Sequence, residues 1–285
     1  MAYYTRATAE FKNDLGKYYR LEINDNTLSG HSTDTFTLSS RGFDLNYETE
    51  DRTRFTGLIP SNVEFDIITT SSADETLVSD IKGAPFGRFL IRIDESDDGT
   101  SYSRWWAGNL LSDVSDAPDL SFEQHPSFTF TATDGLAELV DIKLDRNTTY
   151  ATLNTLTTFV DVIISSLKND LDSSVFWNVD HRFLRTMVNW YTANMPTPAT
   201  SVDPLRQSGA IFRAFQEVEN GSEVTISSFE ALDRICRAFG ARLFLSEGRW
   251  NFTQNNAYTQ MASGGGQWRR DYYKDDNDII ATGTT

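Results

Sequence analysis

The stretch SSFEALDRICRAFGARLFLSEGRWNF, residues 227–252, decides how this chain folds. Ser227 and Glu230 stand at capping-box spacing, which predicts a helix start, because a hydroxyl there can accept the otherwise unbonded amide of the first turn. Phe229, Leu232, Ile235, Cys236 and Phe239 then recur with the helical period and share one face. Gly240 sits where a left-handed cap ends a helix. Beyond it Leu243 and Leu245 alternate with polar neighbours, Glu247-Gly248 makes a two-residue turn, and Trp250 and Phe252 alternate back. Helix, glycine stop and hairpin therefore follow without a gap, as one packing module. The only cysteine, Cys236, lies on its apolar stripe with no histidine close in sequence, so it reads as core; a nucleophilic thiol needs exposure and a lowered pKa.

Upstream, residues 17–133 read as consecutive strands. KYYRLEIND (17–25) alternates Tyr19, Leu21 and Ile23 against Tyr18, Arg20 and Glu22. TFTLSS and GFDLNYE follow as two strands around Arg41-Gly42, then VEFDIITT (63–70). SADETLVSDIKG (72–83) carries Leu77, Val78 and Ile81 at helical spacing and a terminal glycine, so it is a short helix. FGRFLIRIDES (86–96), a DDG turn and TSYSRWWAGNLLSD (100–113) form a long hairpin, and HPSFTFTATDG (125–135) is a last strand running into the short helix GLAELVDIKL. This spacing predicts a barrel or a sandwich that ends near Asp145. From there the texture turns helical: ATLNTLTTFVDVIISSLKNDL (151–171) places Leu153, Leu156, Phe159, Val160, Ile163, Ile164, Leu167 and Leu171 on one stripe. Residues 176–200 read as an irregular connection, and the tail from Ser263 as a glycine linker with the start of a further element. The expected organisation is a β domain at 1–145, a helix-plus-hairpin region at 146–262 and a linker or incomplete element at 263–285, in a mainly β chain with some α (α+β).

Forty-one acidic against twenty-five basic residues give a formal charge of −16. That sign argues against a surface built to hold phosphate backbones, while fitting either a soluble acidic exterior or the wall of a conduit that DNA passes without binding. The segment MAYYTRATAEFKND has no apolar signal region, and no run approaches the ~18 apolar residues of a membrane span, so synthesis in the cytoplasm without membrane insertion is expected. His31, His125 and His181 are far apart and show no metal-ligand spacing. DESDDG (94–99) has the opening of a calcium loop, but Trp105 occupies the twelfth position where a bidentate glutamate is needed, and a hairpin turn is the simpler reading. No nucleotide or cofactor fingerprint and no nucleophile elbow is present, so no catalytic residue, metal or cofactor is assigned. Trp105-Trp106 is the most suggestive non-catalytic feature: adjacent strand positions face opposite sides, which would send one indole to the core and leave the other for a partner.

Taken together, "FGARLF" at 239–244, Glu247-Gly248 and Trp250-Asn251-Phe252, with FTFTATDGLAELVDIKL (128–144) and GLIPSNVEFDI (57–67), resemble the baseplate hub or tail-tip hub proteins of tailed bacteriophages. The resemblance implies a tail-tube-like β-barrel domain followed by a clasp-like helical and hairpin region. It also implies a structural, non-enzymatic virion protein of the tail tip that forms a ring between the tail tube or distal tail protein and the central spike or fibre, leaving a channel for DNA. Such hubs carry two barrels per chain and form trimers; this sequence shows one barrel, so a second would lie beyond the glycine linker, or else the ring is a homohexamer. The long hairpin at 86–113 is the expected subunit contact, with Phe89, Ile91, Tyr102, Trp105 and Trp106 as interface residues. A tail-associated module that binds glycans through Trp105, Trp106 or Trp250, or hydrolyses them with a pair of carboxylates, is the alternative.

Overall fold

A computed structural model of the chain describes residues 3–48, 56–112, 125–144, 156–171, 183–188, 203–219, 221–255, 269–273 and 279–284. In chain order its elements are β1 (Tyr4–Lys12), β2 (Tyr18–Asp25), β3 (Thr37–Tyr47), β4 (Leu58–Ile59), β5 (Ser61–Ile68), α1 (Ser72–Lys82), β6 (Phe89–Ser96), β7 (Ser103–Leu110), β8 (Ser127–Thr133), β9 (Leu156–Thr158), α2 (Phe159–Leu171) and β10 (Leu184–Val188). They continue with α3 (Pro204–Gln207), β11 (Gly209–Ile211), β12 (Gln216–Glu219), β13 (Ser222–Thr225), α4 (Ser228–Phe239), β14 (Ala241–Ser246), β15 (Arg249–Gln254), β16 (Arg269–Tyr273) and β17 (Ile279–Thr284). The chain is thus mainly β with helices, as its alternating patterns predict.

Seven strands form the larger, antiparallel sheet in the order β1-β2-β6-β7-β8-β5-β3. Period-two alternation puts Leu21, Ile23, Val63, Phe65, Ile67, Ile91, Ile93, Phe128 and Phe130 into one core, and α1 adds Leu77, Val78 and Ile81 to it. Ser71 and Asp74 form a complete capping box on α1. The expected barrel is not closed by a continuous ladder: β1 and β3 remain the sheet's edges. The two segments expected around Arg41-Gly42 are one strand, β3, whose register shifts between Leu38 and Phe43, with Gly42 at φ +72. A bulge of this kind bends the strand and interrupts regular pairing. What meets β1 instead is the segment before β3, through Ser32 N to Thr5 O (2.7 Å), Thr8 N to Asp34 O (3.0 Å) and Phe36 N to Thr8 O (3.1 Å).

The second sheet runs β17-β16-β10-β15-β14-β4. Its helix-and-hairpin module forms as the spacing predicts. Ser227 accepts from Glu230 N at 3.2 Å, which stabilises the helix by about 1 kcal/mol; the Glu230 side chain turns to Arg234 instead of back to the cap. Gly240 adopts φ +56 as the left-handed stop, and Glu247 (φ +54) with Gly248 (φ +66) gives the type I′ geometry that matches strand twist. Leu243, Leu245, Trp250 and Phe252 face α4 and α2, where Phe239 meets Phe159 and Phe252 edge-on at 5.5 and 6.1 Å. Cys236 is fully buried, its thiol is pushed up by burial, and a side chain at Gly57 would strike its Cβ at 2.6 Å.

Three expectations change here. The helix drawn over 151–171 begins at Phe159, because Thr158 caps it by accepting from Asp161 N at 3.2 Å. Leu156 therefore belongs to a strand, paired with Ile211 and 68% exposed, rather than to the apolar stripe; Leu153 lies outside the described residues. The irregular stretch 176–200 contains β10, a strand buried at all five positions and central in the second sheet, and the tail contributes β16 and β17 as further strands of that sheet. The Gly264–Gly266 run and His181 also lie outside the described residues. Across the expected boundary near Asp145, β4 pairs in parallel with β14, Leu144 N donates to Ile226 O (3.1 Å) and Ser228 N to Ile142 O (2.7 Å). The apolar core runs through both sheets as one cluster.

Candidate functional site

The hairpin of β6 and β7 lies in the middle of its sheet. One side of β6 is taken by β2. The far side of β7 pairs with β8 at Asn109 and Leu110, and at Trp105 its carbonyl accepts from Gly248 N at 2.9 Å. The edge expected to pair with a neighbouring subunit is thus occupied within the chain along these positions. Phe89 (2% exposed), Ile91 (0%) and Trp106 (0%) are core residues out of reach of a partner. Alternation groups the residues of one face correctly, but it does not say that the sheet's other neighbours cover that face.

Trp105 departs from strict alternation for a specific reason. Arg104 pairs with Asp94 and Trp106 with Ile93, so Trp105 is the extra residue of a β-bulge. The bulge frees its carbonyl for Gly248 and lets its indole join Tyr19 (5.8 Å) and Phe43 (5.7 Å), while Trp106 donates from Nε1 to Ser61 Oγ at 2.9 Å. Ser61 in turn donates through both its backbone N and its Oγ to Asp134 Oδ2 at 2.7 Å. Burial pushes the Asp134 carboxyl up to about 6 although these donors favour its charged form. Asp134 is sealed from solvent, which denies it contact with any substrate. Trp250, at 1% exposure, is likewise closed to a glycan.

The surface that remains beside Tyr102 is charged. On the outer side of β2, β6 and β7, the fully buried Asp94 accepts from Arg92 Nε (2.9 Å), Arg104 Nε (3.0 Å) and Arg20 Nη2 (3.2 Å), while Glu22 lies 3.1 Å from Arg20 Nε and 3.5 Å from Arg92 Nη1. Burial opposes the charge on Asp94, but the hydrogen bond and charge of Arg92, with Arg104 and Arg20, outweigh it and hold the carboxyl below its usual range. Burial together with the charge of Arg92 pulls Arg104 down to about 10. Tyr102 stacks under the Arg20 guanidinium at 4.3 Å. Glu10, directly opposite Arg20 on β1, adds a third carboxylate, so the three guanidiniums of this patch are balanced by Asp94, Glu22 and Glu10. Sequence reasoning named Tyr102 as a subunit-interface residue and named none of the charged residues around it; their signal was present as Arg20, Glu22, Arg92 and Asp94 at alternate strand positions, but their pairing depends on the β2–β6 register.

The DESDDG turn binds itself. Asp98 accepts from Thr100 N and Ser101 N at 2.8 Å, which lowers its pKa, and Asp94 is committed to the arginines. His31, in the segment between β2 and β3, accepts from Thr5 N, and His125, just before β8, stands 3.3 Å from Thr69 O. Among the described residues no helix is long and apolar enough to cross a membrane.

No protein-family model matches the chain, and no curated protein does. Among solved structures it is similar to the prophage MuSo2 43 kDa tail protein from Shewanella oneidensis, at 14% identity and a TM-score of 0.33 over 74% of this chain and 55% of that one. The chain spans about half the length of that protein, and at this level of similarity nothing is transferred from it.

Proposed function

We propose that this chain is a structural subunit of a phage tail tip or baseplate hub, forming a ring between the tail tube or distal tail protein and the central spike or fibre, with an open channel for DNA and no catalysis of its own. The observation that carries the reading is the helix-glycine-hairpin module of residues 227–252, in which the quoted resemblance to tail hubs is concentrated, clamped onto the larger sheet through Gly248 and Trp105. The ring is a homotrimer, or a homohexamer if each chain supplies one curled sheet. The glycan-module alternative loses support from the burial of Trp106 and Trp250.

The test is negative-stain imaging of the purified protein over a concentration series, with mass determination alongside. Closed rings with an open centre are expected, and their symmetry distinguishes trimer from hexamer. A particle that stays monomeric at every concentration, fails to bind purified tail-tube protein and cleaves or binds cell-wall glycan overturns the reading.

A further inference from the structure

A cavity of about 480 Å³ opens on the side of the second sheet opposite its helices, where β14 and β15 meet Tyr47 of β3 and Ile59 of β4. Arg242 and Thr253 are directly opposed across β14 and β15 and both line it. Thr253 is only 3% exposed and its hydroxyl has no hydrogen-bond partner; the Nε of Arg242 is buried and equally unpartnered, and Arg242 makes no ion pair among the described residues. Buried polar groups are nearly always satisfied, so two adjacent unsatisfied donors on rigid strands, one of them cationic, mark a place where an acceptor arrives from outside. The rest of the wall is an apolar face made by Ile59, Phe244 and the ring of Tyr47, whose hydroxyl is already tied to Leu245 O at 3.0 Å, with Ser246, Gln254 and Asn255 as its polar members.

We infer that this cavity binds a carboxylate carried on an apolar body, the carboxylate accepting from Arg242 and Thr253 while the body lies against Phe244, Ile59 and Tyr47. A planar carboxylate matches the guanidinium fork and forms charge-assisted bonds with it. A bare phosphate would leave the apolar wall unfilled, and a neutral apolar ligand would leave both donors unsatisfied. The volume falls in the range of small-ligand pockets. Two sources present this chemistry: the C-terminus of a polypeptide ending in an apolar residue, and a free organic acid.

Calorimetric titration with N-acetylphenylalanine, and with its amide as neutral control, tests the inference on the whole chain. The acid is expected to bind at least about tenfold more tightly than the amide, since a charge-assisted pair is lost with the charge. Arg242→Gln should abolish that preference, and Thr253→Val should weaken acid binding while leaving the unliganded Tm unchanged or higher, because it removes an unsatisfied buried hydroxyl. The Tm readings also establish that both variants fold. A short peptide ending in phenylalanine that binds more tightly than N-acetylphenylalanine identifies a polypeptide tail as the source, and equal affinity identifies a free acid; either supports the site. Equal binding of acid and amide, no heat from the acid at about 10 mM, or full retention of the preference in Arg242→Gln overturns it. The outcome is independent of ring formation.

Discussion

Replacing Gly248 by alanine tests how the helix-and-hairpin module is held to the larger sheet. Gly248 has φ +66, where a side chain costs about 1–2 kcal/mol. The added Cβ would also stand 2.5 Å from Arg104 Cγ, 2.7 Å from Arg104 Cβ and 2.8 Å from Arg104 O. Arg104 has little room to yield, being 8% exposed with Nε bound to Asp94 at 3.0 Å, so forced repacking adds about 1–3 kcal/mol. The expected total is about 2–5 kcal/mol. Gly87→Ala is the control: its φ is +77, and nothing lies within 4 Å of its added Cβ, so it carries the backbone cost alone. Urea unfolding followed by tryptophan fluorescence reads both, since the indoles of Trp106 and Trp250 are fully buried. If Gly248→Ala is no less stable than Gly87→Ala, the turn does not press on β7 and the clamped module is refuted.

Two further predictions concern buried carboxylates. Asp94→Asn leaves Arg20, Arg92 and Arg104 around a neutral amide and is expected to destabilise the fold by about 3–5 kcal/mol, as breaking a buried ion pair does; thermal unfolding beside an exposed-site control such as Asp97→Asn checks it, and a loss below about 1 kcal/mol contradicts the network. Asp134 has its carboxyl raised from 3.8 to about 6, so the stability it contributes is fully present below pH about 4 and is lost as pH rises through about 6, by about 3 kcal/mol in all. Measured against Asp134→Asn, the wild type should lose relative stability between those pH values; a difference that does not change with pH would show that its burial sets no such shift.

What could be read from residues alone is what neighbours in sequence decide. The α4 cap at Ser227, the stop at Gly240 and the Glu247-Gly248 turn depend on hydrogen bonds and φ angles within a few residues, and they form as their residue types require. Alternation in β2, β5, β6 and β8 likewise identifies strands, because period two is local geometry. It fails where the pattern is absent or displaced. β10 is buried on every residue and has no alternation to read, and β16 and β17 carry too mixed a pattern. The bulge at Trp105 shifts the register by one, and a shift of one reassigns side chains between faces.

The candidate surface divides the same way. Tyr102 was named from the sequence as an interface residue of the long hairpin, whereas the Arg20–Asp94–Arg104 cluster exists only because β2, β6 and β7 lie side by side in one register. The cavity at Arg242 and Thr253 needs β4, some 180 residues upstream, to pair with β14. Sequence by itself determined the fold class, the alternating strands β2, β5, β6 and β8 and the module of residues 227–252, because capping, turn geometry and periodicity act over one or two turns of chain. Only the tertiary structure decided that Phe89, Ile91 and Trp106 are core, that the larger sheet stays open, and that two donors stand unsatisfied beside an apolar wall, because each of these follows from which distant strands share a ladder.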